Sequence, residues 1–171
     1  MTTQNAIEWP EKYLPGTGDN FVSNEVVVQG TTAARVWRFL VDTSEWEGYY
    51  DNVADISFPQ GGGPRLSDGL AFRFATFGFP PLDALVVRFQ EPVEGVPGRL
   101  SWTAKQDGGP EERLDVLHAW LVEDLPGGRV RVLTQETQTG APAAALARQR
   151  PDPMLNGHQA WLDGLVRAAS K

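Results

Sequence analysis

The stretch RLDVLHAWLVEDLPGGRVRVLTQETQ, residues 113–138, decides the fold. It contains two runs, 113–123 and 129–138, in which apolar residues recur at every second position, the period of a half-buried strand. Between them stands Pro126-Gly127-Gly128, a turn signal, so the two runs read as an antiparallel hairpin. In the first run Leu114, Val116, His118, Trp120 and Val122 share one face, opposed by Arg113, Asp115 and Glu123; in the second, Val130, Val132, Thr134 and Glu136 oppose Arg129, Arg131 and Gln135. The even-numbered face is the interior one in both. A hairpin pivoting at Pro126 sets Val122 opposite Val130 and His118 opposite Thr134, with Glu136 one diagonal away.

Working outward, five more strand-like segments precede this hairpin: Phe21 to Gln29, Val53 to Phe58, Leu70 to Phe77, Leu82 to Gln90 and Arg99 to Gln106. From the second onward they are separated by Gly- and Pro-rich turns such as Gly61-Gly62-Gly63-Pro64 and Phe79-Pro80-Pro81, which implies a meander. The first strand is followed instead by helical spacing. Thr31 or Thr32 can cap a short helix carrying Val36, Trp37, Leu40 and Val41, and Thr43 or Ser44 a second one carrying Trp46, Tyr49 and Tyr50. Near the end, Ala143 to Arg150 is helix-prone, Pro151 and Pro153 interrupt it, and a final helix places Leu155, His158, Leu162, Leu165 and Ala169 on one stripe widened by Trp161 and Val166. The expected fold is α+β: a curved seven-stranded antiparallel sheet wrapped around a long C-terminal helix, with two short helices after the first strand. Residues 1–19, polar and punctuated by Pro and Gly, read as an N-terminal arm, and 20–171 as one domain.

Composition narrows the function. A net charge of -7 argues against nucleic acid, whose phosphates are neutralised by Lys and Arg. No stretch reaches the length of apolar residues a bilayer span needs, and the first ten residues lack the pattern of a signal peptide, so a cytoplasmic location is expected. With no Cys and two His, neither a thiolate nucleophile nor a metal site is expected, and no cofactor. The glycine run at 61–63 lacks the Lys and Ser/Thr of a phosphate loop. The oligomeric state is not legible.

The order of elements, together with Val36-Trp37-Arg38-Phe39-Leu40-Val41-Asp42, Trp46, His118-Ala119-Trp120-Leu121, Gly127 to Val132, Thr134-Gln135-Glu136, Gly140 and Gly157 to Leu162, resembles the START/Bet v 1-like (SRPBCC) superfamily, in particular its bacterial polyketide cyclase/dehydrase-like members. The resemblance spans about residues 20–170. It implies a helix-grip fold around a hydrophobic cavity, in a superfamily that includes lipid carriers, hormone receptors, aromatases and cyclases.

Candidate site residues follow from which side chains face that interior. His118 and Glu136 form a candidate proton-transfer dyad, because burial and pairing pull their pKa values in opposite directions; Tyr49 is the third candidate catalytic group, since the resemblance implies that the short second helix, with Trp46, Tyr49 and Tyr50, borders the cavity mouth. The alternative is a satisfied core histidine with Glu136 in water at the strand end. Trp46, Tyr50, Phe72, Phe74, Trp102, Trp120, Thr134, His158 and Trp161 are candidate ligand-binding residues, and Asp83 belongs either to the cavity rim or to the turn after Pro81. Three functions fit: an enzyme that cyclises, aromatises or dehydrates a polycarbonyl substrate; a carrier or sensor of a lipid-like or aromatic ligand; and a chaperone-cofactor-like interaction domain with a filled core.

Overall fold

The structure, a computed structural model, describes residues 3–171. Seven strands, β1 (Asn20–Gln29), β2 (Val53–Ser57), β3 (Ala71–Thr76), β4 (Leu82–Gln90), β5 (Gly98–Gln106), β6 (Leu114–Leu125) and β7 (Arg129–Thr139), form one antiparallel sheet in the order β1-β7-β6-β5-β4-β3-β2. Helices α1 (Ala33–Val41) and α2 (Trp46–Tyr49) carry the chain from β1 at one edge to β2 at the other, and α3 (Ala141–Ala147) and α4 (Pro153–Ala169) follow β7. The expected architecture is therefore observed, and no described helix is long and apolar enough to cross a membrane. Thr32 caps α1 through its hydroxyl, but the second cap is Asp42 rather than Thr43 or Ser44. A carboxylate accepting the Ser44 N–H closes the turn one residue earlier. Asp152 caps α4 and Pro153 occupies its first turn, where a missing N–H costs nothing. Leu155, expected on the buried stripe of α4, is 41% exposed and lies at its edge.

The pivot of the hairpin lies one residue beyond the expected one, which shifts the register by two. Leu125 pairs with Arg129, so the turn is Pro126-Gly127-Gly128, with both glycines at positive φ, and the pivot falls on Gly127. Val122 consequently faces Val132, and His118 directly faces Glu136 instead of Thr134. The slip is by two residues, which leaves every side chain on its expected face.

The core lies between the sheet and α1, α2 and α4, with Trp37, Leu40, Trp46, Leu100, Trp120, Leu162 and Leu165 among its buried members. The opposite face of β6 is also covered: Leu117, Ala119 and Leu121 are fully buried. Polar anchors tie the N-terminal arm to this side of the sheet. Asn5 donates to Glu123 and accepts from Arg131, Arg99 donates to the Ala6 carbonyl, Tyr13 donates to Asp115, and Trp9 packs edge-on against Phe21. Glu123 and Arg131, outward-facing by alternation, are buried there as a salt bridge of 2.8 Å.

Candidate functional site

Curvature of the sheet leaves a cavity of about 260 Å³ between its concave face and α4. Tyr50, Phe74, Trp102 and Trp161 supply aromatic wall, Val116 and Met154 aliphatic wall, and the exposed residues Phe79, Pro80, Glu111 and Glu112 mark the opening. Phe77 also lines it from the β3–β4 connection, its backbone at φ 55 and its ring packed where α4 carries Gly157; a Cβ there would lie 2.2 Å from the Phe77 ring.

One end of the cavity is polar. His118 from β6, Glu136 and Gln138 from β7 and His158 from α4 all line it, and all are buried. Strand alternation puts Glu136 and Gln138 on one face, and cross-strand pairing sets His118 beside them. The hydrogen bonds fix where protons reside. Thr134 Oγ1 lies 3.3 Å from the Ala119 carbonyl, to which its O–H donates, so it accepts from His118 Nε2 at 2.8 Å. That leaves the lone pair of His118 Nδ1 facing Glu136 Oε1 at 3.5 Å. Asn20 donates to the side-chain carbonyl oxygen of Gln138 at 3.0 Å, which turns the Gln138 amide N–H onto Glu136 Oε2 at 2.8 Å. Oε2 is thus an acceptor, and Oε1 is the position for an acid proton aimed at His118.

Desolvation pushes the Glu136 carboxyl up to about 8, opposed only in part by the Gln138 hydrogen bond. Burial also drives His158 down to about 4, with Asp152 pulling weakly the other way, and holds His118 well below its ordinary value, reinforced by repulsion from His158. Near neutral pH the trio is therefore an uncharged acid among uncharged imidazoles, and the contacts of 3.5 and 3.7 Å to Glu136 are not ion pairs. Burial likewise raises the Tyr50 phenol, opposed in part by Asn52; His158 Nδ1 has no hydrogen-bond partner among the described residues.

His118, Glu136 and His158 bring ligand-type atoms within 4.8 Å of one another. The two imidazole rings, however, stack 10° from parallel with centroids 4.5 Å apart. An imidazole binds a metal along a lone pair in its own plane, and two stacked planes do not meet at one ion, so metal binding would require a ring to turn out of the stack.

Of the residues singled out from sequence, His118, Glu136, His158, Tyr50, Phe74, Trp102 and Trp161 line the cavity. Thr134 acts one step back, holding His118. Four do not reach the cavity. The Tyr49 hydroxyl donates to the Phe39 carbonyl, and the Trp46 indole N–H to the Leu40 carbonyl, so both are committed to tying α2 to α1. Phe72 and Trp120 are core. Asp83 is neither at the rim nor in a turn: it sits on β4 opposite Arg73 and bonds it at 2.8 Å, on the exposed face. Gln138 and Val116 join the site without having been singled out, although alternation places them on the interior face; Phe77 and Met154 carry no such signal.

No protein-family profile matches the chain, and no curated protein does. Among solved structures, the hypothetical protein jhp0584 from Helicobacter pylori is 49% identical over 99% of both chains, with a TM-score of 0.93. The di-domain ARO/CYC BexL from the BE-7585A biosynthetic pathway matches 87% of this chain and 46% of its own at 12% identity and a TM-score of 0.60. Ara h 8.0201 matches 89% of this chain and 100% of its own at 10% identity and a TM-score of 0.58. The chain thus belongs to the family of Helicobacter pylori jhp0584, and its fold is the helix-grip fold of the Bet v 1-like superfamily.

Proposed function

We propose that the protein encloses a hydrophobic small molecule and acts on it by proton transfer, in the manner of a polyketide cyclase, with Glu136 as the proton-carrying group and His118 as its partner. The observation that carries this reading is the buried acid–imidazole corner at the end of an aromatic-walled cavity. A carrier needs only the walls; three buried titratable groups in mutual contact are costly to a fold that merely stores a ligand. At about 260 Å³ the cavity suits a compact one- or two-ring skeleton, small beside the roughly 300–1,000 Å³ of ordinary ligand sites. Cyclisation or dehydration of an enolisable carbonyl compound needs a proton taken from carbon and one given to oxygen. Glu136 Oε1 can deliver the latter, and the bare Nδ1 of His118 can receive the proton in exchange. Wall contacts would contribute by holding a flexible chain in its reactive fold. Similarity in fold to BexL agrees with this reading.

The test is incubation with short linear poly-β-ketone analogues, following binding by calorimetry and products by chromatography. Turnover that falls roughly a hundredfold in Glu136→Gln, with binding retained, is expected. Binding of the analogues without turnover by the wild-type protein would overturn the catalytic reading and leave a carrier.

A further inference from the structure

The charge pattern of the cavity says which ligands it can accept. Its lining includes three carboxyl groups, Glu136 inside and Glu111 and Glu112 at the opening, and, among the described residues, no Lys or Arg. An anionic ligand would bring charge into a desolvated space with no cation to meet it, a combination that buried sites avoid. Such a site is unsuited to fatty acids, carboxylated hormones or phosphate esters. A cation meets the opposite situation. The aromatic side chains of Tyr50, Phe74, Trp102 and Trp161 offer electron-rich rings, and Glu136 has no Lys or Arg partner among the described residues. Among the unpartnered side-chain atoms of residues lining the cavity, His158 Nδ1, on a residue only 3% exposed, can present a lone pair, while the indole nitrogens of Trp102 and Trp161 can only donate.

We propose that the cavity selects a hydrophobic cation, a compact amine or quaternary ammonium compound with its nitrogen against Glu136 and its carbon skeleton against Tyr50, Phe74, Trp102 and Trp161. This rests on the enclosure described above and not on cyclase chemistry. It also deepens that chemistry: a bound cation stabilises Glu136 as the carboxylate, which turns the corner from a proton donor into a proton acceptor. A net charge of -7 favours the approach of such ligands.

Three naphthyl probes test the proposal by calorimetry: (2-naphthylmethyl)trimethylammonium, its uncharged carbon isostere 2-neopentylnaphthalene, and the smaller anion 2-naphthylacetate. The cation should bind about tenfold more tightly than the isostere, and the carboxylate most weakly. In Glu136→Gln the preference should shrink to roughly the contribution of the rings, threefold or less, while the isostere binds as before and so certifies the cavity. Equal or tighter binding of the isostere or the carboxylate would overturn the proposal and leave the enclosure intact. Failure of all three to bind would overturn the enclosure as well.

Discussion

Replacing Glu136 by glutamine should remove the alkaline limb of the stability curve. The physical basis is a proton count. Between its ordinary value of 4.5 and about 8, the folded chain keeps a proton on Glu136 that the unfolded chain has released. Each pH unit in that window therefore costs the folded state about 1.4 kcal/mol. His158 works in reverse: between about 4 and 6.5 the unfolded chain holds a proton that the folded chain does not, so a rising pH favours folding, and His118 acts in the same direction. Below pH 6.5 the two imidazoles outweigh the single carboxyl; above it only the carboxyl remains. Stability from this cluster should thus peak near pH 6.5 and fall by about 2 kcal/mol between there and pH 8, the product of 1.5 pH units and about 1.4 kcal/mol. Burial carries Tyr50 to still more alkaline values, and Asp152 only tempers the shift of His158. The amide introduced by Glu136→Gln would preserve the shape of the site, accepting from Gln138 through its carbonyl and donating through its N–H to His118 Nδ1. Urea unfolding followed by fluorescence of the buried tryptophans, from pH 5 to 9, measures the curve. The variant should be flat from 6.5 to 8 and keep the acid limb. An equally steep alkaline fall in the variant would refute the assignment of the proton to Glu136.

Three further outcomes follow from the geometry. Thr134→Val strips the acceptor from His118 Nε2 and should cost about 1–3 kcal/mol in urea unfolding, with a change of imidazole tautomer visible in ¹⁵N NMR of the ring. Gly164→Ala places a Cβ 2.0 Å from the Tyr49 carbonyl oxygen, where helix α4 crosses the backbone of α2; the overlap should outweigh the gain in helix propensity and lower stability by about 1–3 kcal/mol. Arg131→Ala leaves the buried Glu123 carboxylate without its partner and loosens the arm held through Asn5, so a loss of about 3–5 kcal/mol and faster proteolysis ahead of residue 14 are expected.

Most of the sheet can be read from alternation, because the two-residue period of a strand is a property of the backbone itself. Alternation alone places His118 and Glu136 on one interior face, and a two-residue error in the hairpin register leaves them there. The register itself depends on whether Pro126 or Gly127 is the pivot, which two successive positive φ angles decide. Neighbouring residues in a short helix are harder. Tyr49 and Tyr50 are alike in sequence, yet the first ends α2 with its hydroxyl committed to the Phe39 carbonyl, while the second already has extended backbone and lines the cavity; where so short a helix ends is not set by periodicity. What the amino-acid sequence by itself determined was the order of elements, the faces of the strands and the acidic balance of charge. Only the tertiary structure decided that the arm covers the outer face, that Phe77 meets α4 at Gly157, and that the acid of β7 lies beside two stacked imidazoles drawn from different elements. Those are long-range contacts, set by how far the sheet curves and where α4 crosses it, and no local period encodes either.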